Sequence, residues 1–306
     1  MSFIGKLAYL VFFPGLAFML LASTASRALI SGVFATLEGR RSEGPGLIGS
    51  FLMFAEPHAS ASGSTALIEW AAPAVKLFAL SWVCCAVFGF LPDDLPLVFC
   101  LLLLAASCDL VLVSFSGSGS SSADARRLGL NMLAYAAPLA LVFASVTLRT
   151  GEVRLSSVVA WQASHGVLPL ASGSGVMRAS SVIGLLAMLP VALAMAGLRP
   201  LGQDLFDDKG LLAGLSGPPL AEARLAHIAL TFVAPLLVVA LFLGGPDTRW
   251  YYLVFWALKI AALVLLFAIA DGITRRLPSR AALAWMAAPS ALALVSLALA
   301  WAGVTP

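Results

Sequence analysis

Charged side chains are scarce in this sequence. They make up 11% of its 306 residues, whereas about 25% is usual for a soluble domain. With a mean hydropathy of +1.00, the chain cannot cover a folded surface with solvated groups, which excludes a soluble protein. The net charge is only +3 and the basic residues are scattered, so no nucleic-acid-binding surface is indicated. Composition therefore predicts an integral membrane protein, which has the lipid bilayer as a partner.

Residues that bind metals are also few. The sequence has three histidines and four cysteines, the cysteines lie inside apolar runs, and no two of them form a CxxC pair. No histidine is spaced to join them, and zinc and iron–sulfur sites depend on such clusters. We therefore interpret the cysteines as small buried hydrophobic residues and expect no metal and no cofactor in this chain. They are Cys84, Cys85, Cys100 and Cys108.

Long apolar runs dominate the chain instead. Eight can be drawn, and about 20 apolar residues suffice for a helix to cross a hydrocarbon core of about 30 Å. The sequence therefore predicts an all-α polytopic protein, with residues 1–306 forming a single integral membrane domain. The predicted spans cover approximately residues 4–34, 71–91, 95–115, 128–148, 176–198, 225–243, 250–270 and 281–304.

The connections between the spans differ in character. Residues 37–49 form a basic break rich in glycine and proline, and residues 47–59 carry apolar side chains at helical spacing beside polar ones. The second pattern predicts a short amphipathic helix at the membrane interface after the first span. Residues 116–123 read SGSGSSSA, which is typical of a flexible linker. The weakly apolar stretch 152–175 is expected to fold over one face, with a short helix near 156–162.

Basic residues predict the orientation of the spans, because cytoplasmic loops carry an excess of lysine and arginine. Ten of the 18 basic residues fall on one side, five fall on the other, and three lie within or at the ends of spans. The richer side is predicted to be cytoplasmic, so both termini are expected outside. Its ten residues are Arg40, Arg41, Arg126, Arg127, Arg199, Lys209, Arg224, Arg275, Arg276 and Arg280.

The most acidic segment of the chain is RPLGQDLFDDKGLLAGLSGPPLAEAR, residues 199–224. It carries Asp204, Asp207, Asp208 and Glu222, and its glycines and prolines exclude one long helix. Apolar spans flank it on both sides. A long, broken segment of mixed charge at a bilayer face is interpreted as a docking surface or a charged cavity.

A few ionisable residues fall inside the apolar spans. An ionised carboxylate at Asp109 costs about 2.5–3.5 kcal/mol on insertion scales, so it is either a proton-relay group or half of a structural pair with a lysine of another span or subunit. Lys259 has Asp109 or a neighbouring subunit's glutamate as possible partners. Lys76 is expected to extend its ammonium group to the cytoplasmic face, and His227 is interpreted as a packing residue.

The first basic loop carries a family resemblance. It reads Glu38-Gly-Arg40-Arg41, followed by Gly44-Pro45 and Gly49. This resembles the H-type membrane subunit of bacterial NADH–quinone oxidoreductase (respiratory complex I) and the related membrane subunits of energy-converting hydrogenases and formate hydrogenlyase. In that family a first span, a basic loop with a Gly-Pro step, an amphipathic helix and seven further spans follow in the same order.

Other positions extend the resemblance over nearly the whole chain. Gly117-Ser118, then Arg127 and Pro138, are similar to the family's pattern around the fourth span. Residues 210–217 lie where the family has its acidic cytoplasmic loop. Around the seventh span, hydrogenase-type members carry a lysine, a glutamate and an arginine, and this sequence has the following residues there: Lys259, Asp271 and Arg276.

The sequence departs from the family at its carboxylates. The glutamate before the fourth-span proline is Ala137 here, and Leu215-Ser216-Gly217-Pro218-Pro219 replaces the expected Glu-Tyr step. In the central loop only Asp208 keeps an acid in register. Because the family's carboxylates line the path between the redox site and the ion channels, the resemblance implies that part of this relay is lost or rerouted.

The resemblance implies a non-catalytic subunit of a proton- or sodium-translocating oxidoreductase in the bacterial cytoplasmic membrane. Its expected partners are antiporter-like membrane subunits and cytoplasmic redox or hydrogenase-like subunits, which would hold any iron–sulfur or nickel–iron centres. Two alternatives stay open: a non-redox scaffold of a complex-I-derived transport assembly, and an independent small transporter. The ion-path candidates are Asp109, Lys259, Asp208 and Asp271, and the docking candidates are Arg40, Arg41, Arg126, Arg127, Asp204 and Asp207.

Overall fold

The computed structural model is mainly helical over the part of the chain it describes, which is residues 3–38, 52, 54, 63–115, 121–171, 173–200, 215–245, 250–274, 277 and 279–304. One segment, Val239–Leu243, is π-helical. The helices are α1 (Phe3–Val11), α2 (Leu16–Glu38), α3 (Gly63–Val87), α4 (Leu95–Phe115), α5 (Ser121–Thr150), α6 (Leu155–His165), α7 (Gly175–Met195), α8 (Gly217–Val238), α9 (Trp250–Ile273), α10 (Ser279–Trp285) and α11 (Ala287–Val304).

Eight helical stretches within the described ranges are long and apolar enough to cross a membrane. This confirms the predicted all-α fold and the predicted number of spans. Backbone hydrogen bonds tie the connections together at each end of the bundle, for example Leu95 N to Val153 O (2.8 Å) and Leu277 N to Pro200 O (3.1 Å). The first pair belongs to the end of the bundle where α1 lies and α11 ends, which we name the terminal face. The second pair belongs to the opposite end, which we name the opposite face.

Helix α8 with its π segment is the centre of the bundle. It packs against α2, α3, α7 and α9, and 89% of its spanning segment is buried. A helix that is apolar on all sides is stable only when neighbours cover every side. The other spans bury less of their surface, as expected for helices that face lipid or other subunits.

Helices α7 and α11 cross closely because small residues meet there. The hydroxyl of Ser180 donates to the carbonyl of Ser296 (2.7 Å), and the hydroxyl of Ser296 donates to the carbonyl of Ser180 (2.8 Å). A Cβ atom at Gly184 would lie 2.9 Å from Ser296 Oγ, so the approach requires glycine. Small residues and hydroxyl hydrogen bonds are typical of helix crossings within membranes.

Several span boundaries differ from the sequence prediction, and two of them have a clear physical cause. The first span, expected as one helix over residues 4–34, is broken at residues 12–15, because Pro14 lacks an amide proton and stops α1. Helix α8 begins at Gly217 and not near residue 225, because Pro218 and Pro219 occupy the first helical positions, where a missing amide proton costs nothing. Glu222 therefore lies inside a helix and not in the acidic loop.

The structure also tests the predictions for the short helix and the cysteines. The short helix expected near residues 156–162 is confirmed as α6. Three of the four cysteines are buried as expected, but Cys100 is exposed, so its interpretation as a buried residue is wrong. Apart from Leu52 and Phe54, the predicted interfacial helix 47–59 lies outside the described residues, as does the central loop 201–214.

Candidate functional site

A buried ion pair joins α3 to α4. The ammonium Nζ of Lys76 donates to both carboxylate oxygens of Asp109, at 2.7 Å to Oδ1 and 2.6 Å to Oδ2. Lys76 is 0% exposed and Asp109 is 8% exposed. Both residues lie within spanning segments, where an isolated charge is costly, so each charge depends on the other.

The partner of Asp109 within the chain is Lys76. The prediction that Lys76 extends to the cytoplasmic face is wrong, because its ammonium group turns inward to the carboxylate that α4 presents. The suggested pairing of Asp109 with Lys259 is also wrong. Lys259 Nζ instead donates to the carbonyl of Leu243, at the terminal-face end of the π segment.

A cavity of about 70 Å³ adjoins Asp109. This volume accommodates more than one water molecule, since a single buried water molecule needs only about 10–15 Å³. Four residues with polar side chains are among those that line it: Asp109, Asn131, Tyr135 and His227. The lining also includes Gly197, just beyond the end of α7, which places the cavity toward the opposite face.

Asn131 and Tyr135 were missed by sequence reasoning, although a signal was present. Leu128, Asn131, Met132 and Tyr135 all line the cavity, and their spacing of three and four residues puts them on one face of α5. Two polar side chains on one stripe of an apolar helix indicate a polar surface inside the bundle.

His227 serves both packing and the cavity. A Cβ atom at Gly197 would lie 2.3 Å from Cε1 of the His227 ring, so the imidazole rests directly on that glycine. Gly197 also has a φ of +69°, a conformation that favours glycine. The packing role predicted for His227 is therefore present, together with a position on the cavity wall.

The remaining candidate residues lie apart from the pair. Asp271, at the opposite-face end of α9, accepts a hydrogen bond from the backbone N–H of Arg199 at 2.7 Å and so fastens the chain after α7. Arg126 is exposed in the first turns of α5. Asp204, Asp207, Asp208, Arg40 and Arg41, with the side chain of Arg127, lie outside the described residues.

The structure describes Ala137, the position where the resemblance implies a glutamate. Ala137 is exposed on α5, next to Pro138, and it is not one of the residues that line the cavity. Within the ranges that the structure describes, no group of three or more His, Cys, Asp or Glu side chains is arranged to hold a metal ion.

Comparisons with known proteins agree with this architecture. The chain has the fold of a solved structure described as "Structure of the membrane-bound sulfane sulfur reductase (MBS), an archaeal respiratory membrane complex". The TM-score is 0.77 at 20% sequence identity, and the match covers 93% of this chain and 97% of the other. No curated protein matches the sequence. A family model described as NADH dehydrogenase matches residues 51–302. This chain, whose sequence resembles a membrane subunit of complex I, therefore belongs to the NADH dehydrogenase family of membrane subunits.

Proposed function

We propose that this chain connects a redox module at the opposite face to ion-translocating, antiporter-like subunits beside it in the membrane. In this proposal the opposite face is cytoplasmic and both termini are outside. The redox centres belong to the partner chains, and this chain contributes coupling and not catalysis. Membership of the NADH dehydrogenase family supports the proposal, as does the fold shared with a subunit of a respiratory membrane complex.

The single observation that carries the proposal is the Lys76–Asp109 pair beside a polar cavity. Asp109 faces both the ammonium group and the cavity. A proton delivered through water in the cavity would neutralise the carboxylate and leave the Lys76 charge uncompensated. Because an unpaired buried charge costs about 3–5 kcal/mol, Lys76 would then lose its proton or move. In this way, a proton that enters near the opposite face and reaches Asp109 changes the charge or the position of Lys76 in the middle of α3.

We further propose that Asp109 takes over the protonatable role of the family carboxylate that is absent at Ala137. An alanine cannot carry a proton, and Ala137 does not line the cavity, whereas Asp109 does. Asp208 and Asp271 remain candidates for proton entry at the opposite face. Lys259 remains a candidate for the end of the path nearest the terminal face, since its ammonium group lies at Leu243.

The rival function is a scaffold without redox coupling, recruited to an ion or solute transport complex. The feature that favours it is the alanine at position 137 and the few acids in the central loop, where the resemblance implies carboxylates. In that case the Lys76–Asp109 pair only fixes the register of α3 against α4. An apolar pair of similar volume would then serve as well.

Purification of the full-length chain with its native neighbours distinguishes these functions. Co-purification of iron–sulfur or hydrogenase-like chains, together with antiporter-like subunits, is the result expected from the coupling proposal. Recovery of membrane partners alone would favour the scaffold, and recovery of the chain with no partner at all would contradict both.

The docking part of the proposal has its own test. Arg126→Glu reverses a charge at the opposite face and is expected to reduce the amount of redox module that stays bound during purification. Lys6→Glu is the matched control, because Lys6 is an exposed cation on α1 at the terminal face. Equal retention of the redox module by the two variants would remove Arg126 from the docking surface.

A further inference from the structure

The π segment, Val239–Leu243, ends the central helix at the terminal face. The last carbonyl groups of a helix have no amide partner within that helix, and a buried carbonyl without a donor is strongly unfavourable. Ala240, Leu241 and Phe242 are at most 1% exposed, so bulk water does not reach them. Donors for these carbonyls must therefore come from other parts of the chain.

Gln162, on α6, supplies two of these hydrogen bonds. Its side-chain Nε2 donates to the carbonyl of Ala240 at 2.9 Å and to the carbonyl of Leu241 at 3.2 Å. Gln162 is 3% exposed, and only the NH₂ half of its amide can donate to two carbonyls. The other half, Oε1, is buried and has no hydrogen-bonding partner among the residues that the structure describes. The donor half of the amide therefore holds α6 to the π segment.

The next two carbonyls bring Lys259 to the same segment. The backbone N–H of Leu168 donates to the carbonyl of Phe242 at 3.1 Å, and the ammonium group of Lys259 donates to the carbonyl of Leu243. Gly244 follows with a φ of +86°, and a Cβ atom there would lie 3.8 Å from Lys259 Nζ. The ammonium group therefore lies beside the turn that ends the π segment, and the conformation of the segment decides where its acceptor points.

We propose that Gln162 is a positioning residue for Lys259: its two hydrogen bonds keep the segment π-helical, and this conformation directs the Leu243 carbonyl at the Lys259 ammonium group. A π-helical turn closes with i→i+5 hydrogen bonds and takes up one residue more than an α-helical turn. One residue of an α-helix corresponds to a rotation of about 100°, so return to an α-helix would turn the Leu243 carbonyl away from α9. The inference rests on the proposed function only in placing Lys259 at the end of the ion path.

The position of Lys259 can be tested without an assay of ion movement. The full-length chain is purified in detergent and treated briefly with an amine-acetylating reagent. Mass spectrometry of its peptides then gives the acetylation rate of Lys259 relative to that of Lys6, which is exposed on α1. Gln162→Met keeps an unbranched side chain but has no donor. It is expected to raise this labelling ratio about tenfold or more, the factor expected when an ammonium group loses a hydrogen bond.

Two further variants complete the labelling experiment. Gln162→Glu has almost the same shape as the native residue but donates no hydrogen bond when ionised, so it is expected to raise the ratio as well. Ser164→Ala is the matched control, because Ser164 is exposed on α6 and its hydroxyl forms hydrogen bonds only within that helix. The control is expected to leave the labelling of Lys259 unchanged.

The effect on coupling is measured in the complex reconstituted in liposomes, as the number of ions moved per redox turnover. Both Gln162 variants are expected to lower this number about tenfold while redox turnover continues, because a buried carbonyl that loses its donor changes an equilibrium by about that factor or more. A role in packing alone would lower turnover and ion movement together and leave the number unchanged. Lys259→Ala is measured beside them.

Two results would overturn the proposal. The first is an unchanged labelling ratio at Lys259 in both Gln162 variants. The second is loss of ion movement in Lys259→Ala while both Gln162 variants move as many ions per turnover as the unaltered complex. Normal ion movement in Lys259→Ala, together with increased labelling in Gln162→Met, would contradict the proposed ion path and support the positioning of Lys259 by Gln162.

Discussion

Replacing either half of the Lys76–Asp109 pair is expected to destabilise the bundle strongly. Lys76→Met leaves the Asp109 carboxylate, and Asp109→Leu leaves the Lys76 ammonium, without the partner that each has at 2.6–2.7 Å. Removing one partner of a buried ion pair typically costs about 3–5 kcal/mol.

The two single variants should not cost the same. Asp109 is beside the cavity, so water can solvate its carboxylate or deliver a proton to it. The cost of Lys76→Met should therefore lie near the lower limit of about 3 kcal/mol. Lys76 is 0% exposed and does not line the cavity, so Asp109→Leu should lie near the upper limit of about 5 kcal/mol.

The double variant should recover most of this loss. Methionine and leucine together fill a similar volume with apolar atoms, and such replacements of buried ion pairs are often neutral or stabilising by about 1–4 kcal/mol. The free energy of unfolding of Lys76→Met/Asp109→Leu should then fall within about 1 kcal/mol of the unaltered chain, or above it. With single costs of about 3 and 5 kcal/mol, the interaction free energy between the two sites should then be about 7 kcal/mol, larger than the 0.5–3 kcal/mol usual for residues in contact.

Reversible unfolding in detergent, followed by circular dichroism, measures all four members of this cycle. Lys6→Met is the matched control, since Lys6 is exposed on α1, and a surface change should stay within about 0.5 kcal/mol. The reasoning is refuted if the single variants are as stable as the unaltered chain. It is equally refuted if the double variant loses the sum of the two single costs.

Three further predictions follow from other parts of the bundle. Gly197→Ala is expected to cost at least about 2 kcal/mol, since φ is +69° and the new Cβ would meet His227 at 2.3 Å; unchanged thermal stability would contradict this contact. Ser180→Ala and Ser296→Ala should each lower the unfolding free energy by about 0.6 kcal/mol, the average for such hydrogen bonds between membrane helices, and no loss in either would mean that the crossing depends on shape alone. Lys259→Ala is expected to abolish coupled ion movement with the assembly intact, and normal pumping would remove Lys259 from the ion path.

The spans were predictable from sequence because hydropathy alone decides whether a stretch of about 20 residues enters the bilayer. Breaks within a span depend on single residues. The interruption at Pro14 was missed because the apolar run continues across it. The start of α8 was predicted about eight residues too late because Pro218 and Pro219 were interpreted as helix breakers, whereas prolines also favour a helix start. Hydropathy does not distinguish these roles of proline.

The site was only partly predictable. The cost of burying Asp109 required a partner, and the sequence analysis suggested Lys259 and assigned Lys76 to the cytoplasmic face, although both lysines lie within spans. Choosing between them needs the rotation of α3 and α9 about their axes, which depends on tertiary packing. The hydrogen bonds from Gln162 to the π segment are likewise invisible in sequence, where Gln162 is one polar residue of a short helix.

Coupled ion movement by the double variant tests the central claim most directly. The complex is purified with Lys76→Met/Asp109→Leu in this chain and reconstituted in liposomes, and redox turnover and ion movement are measured on the same sample. Because the double variant is expected to fold and assemble, the coupling account predicts that redox turnover persists while ion movement is lost. Ion movement at the rate of the unaltered complex would contradict the account and leave the pair with a purely structural role.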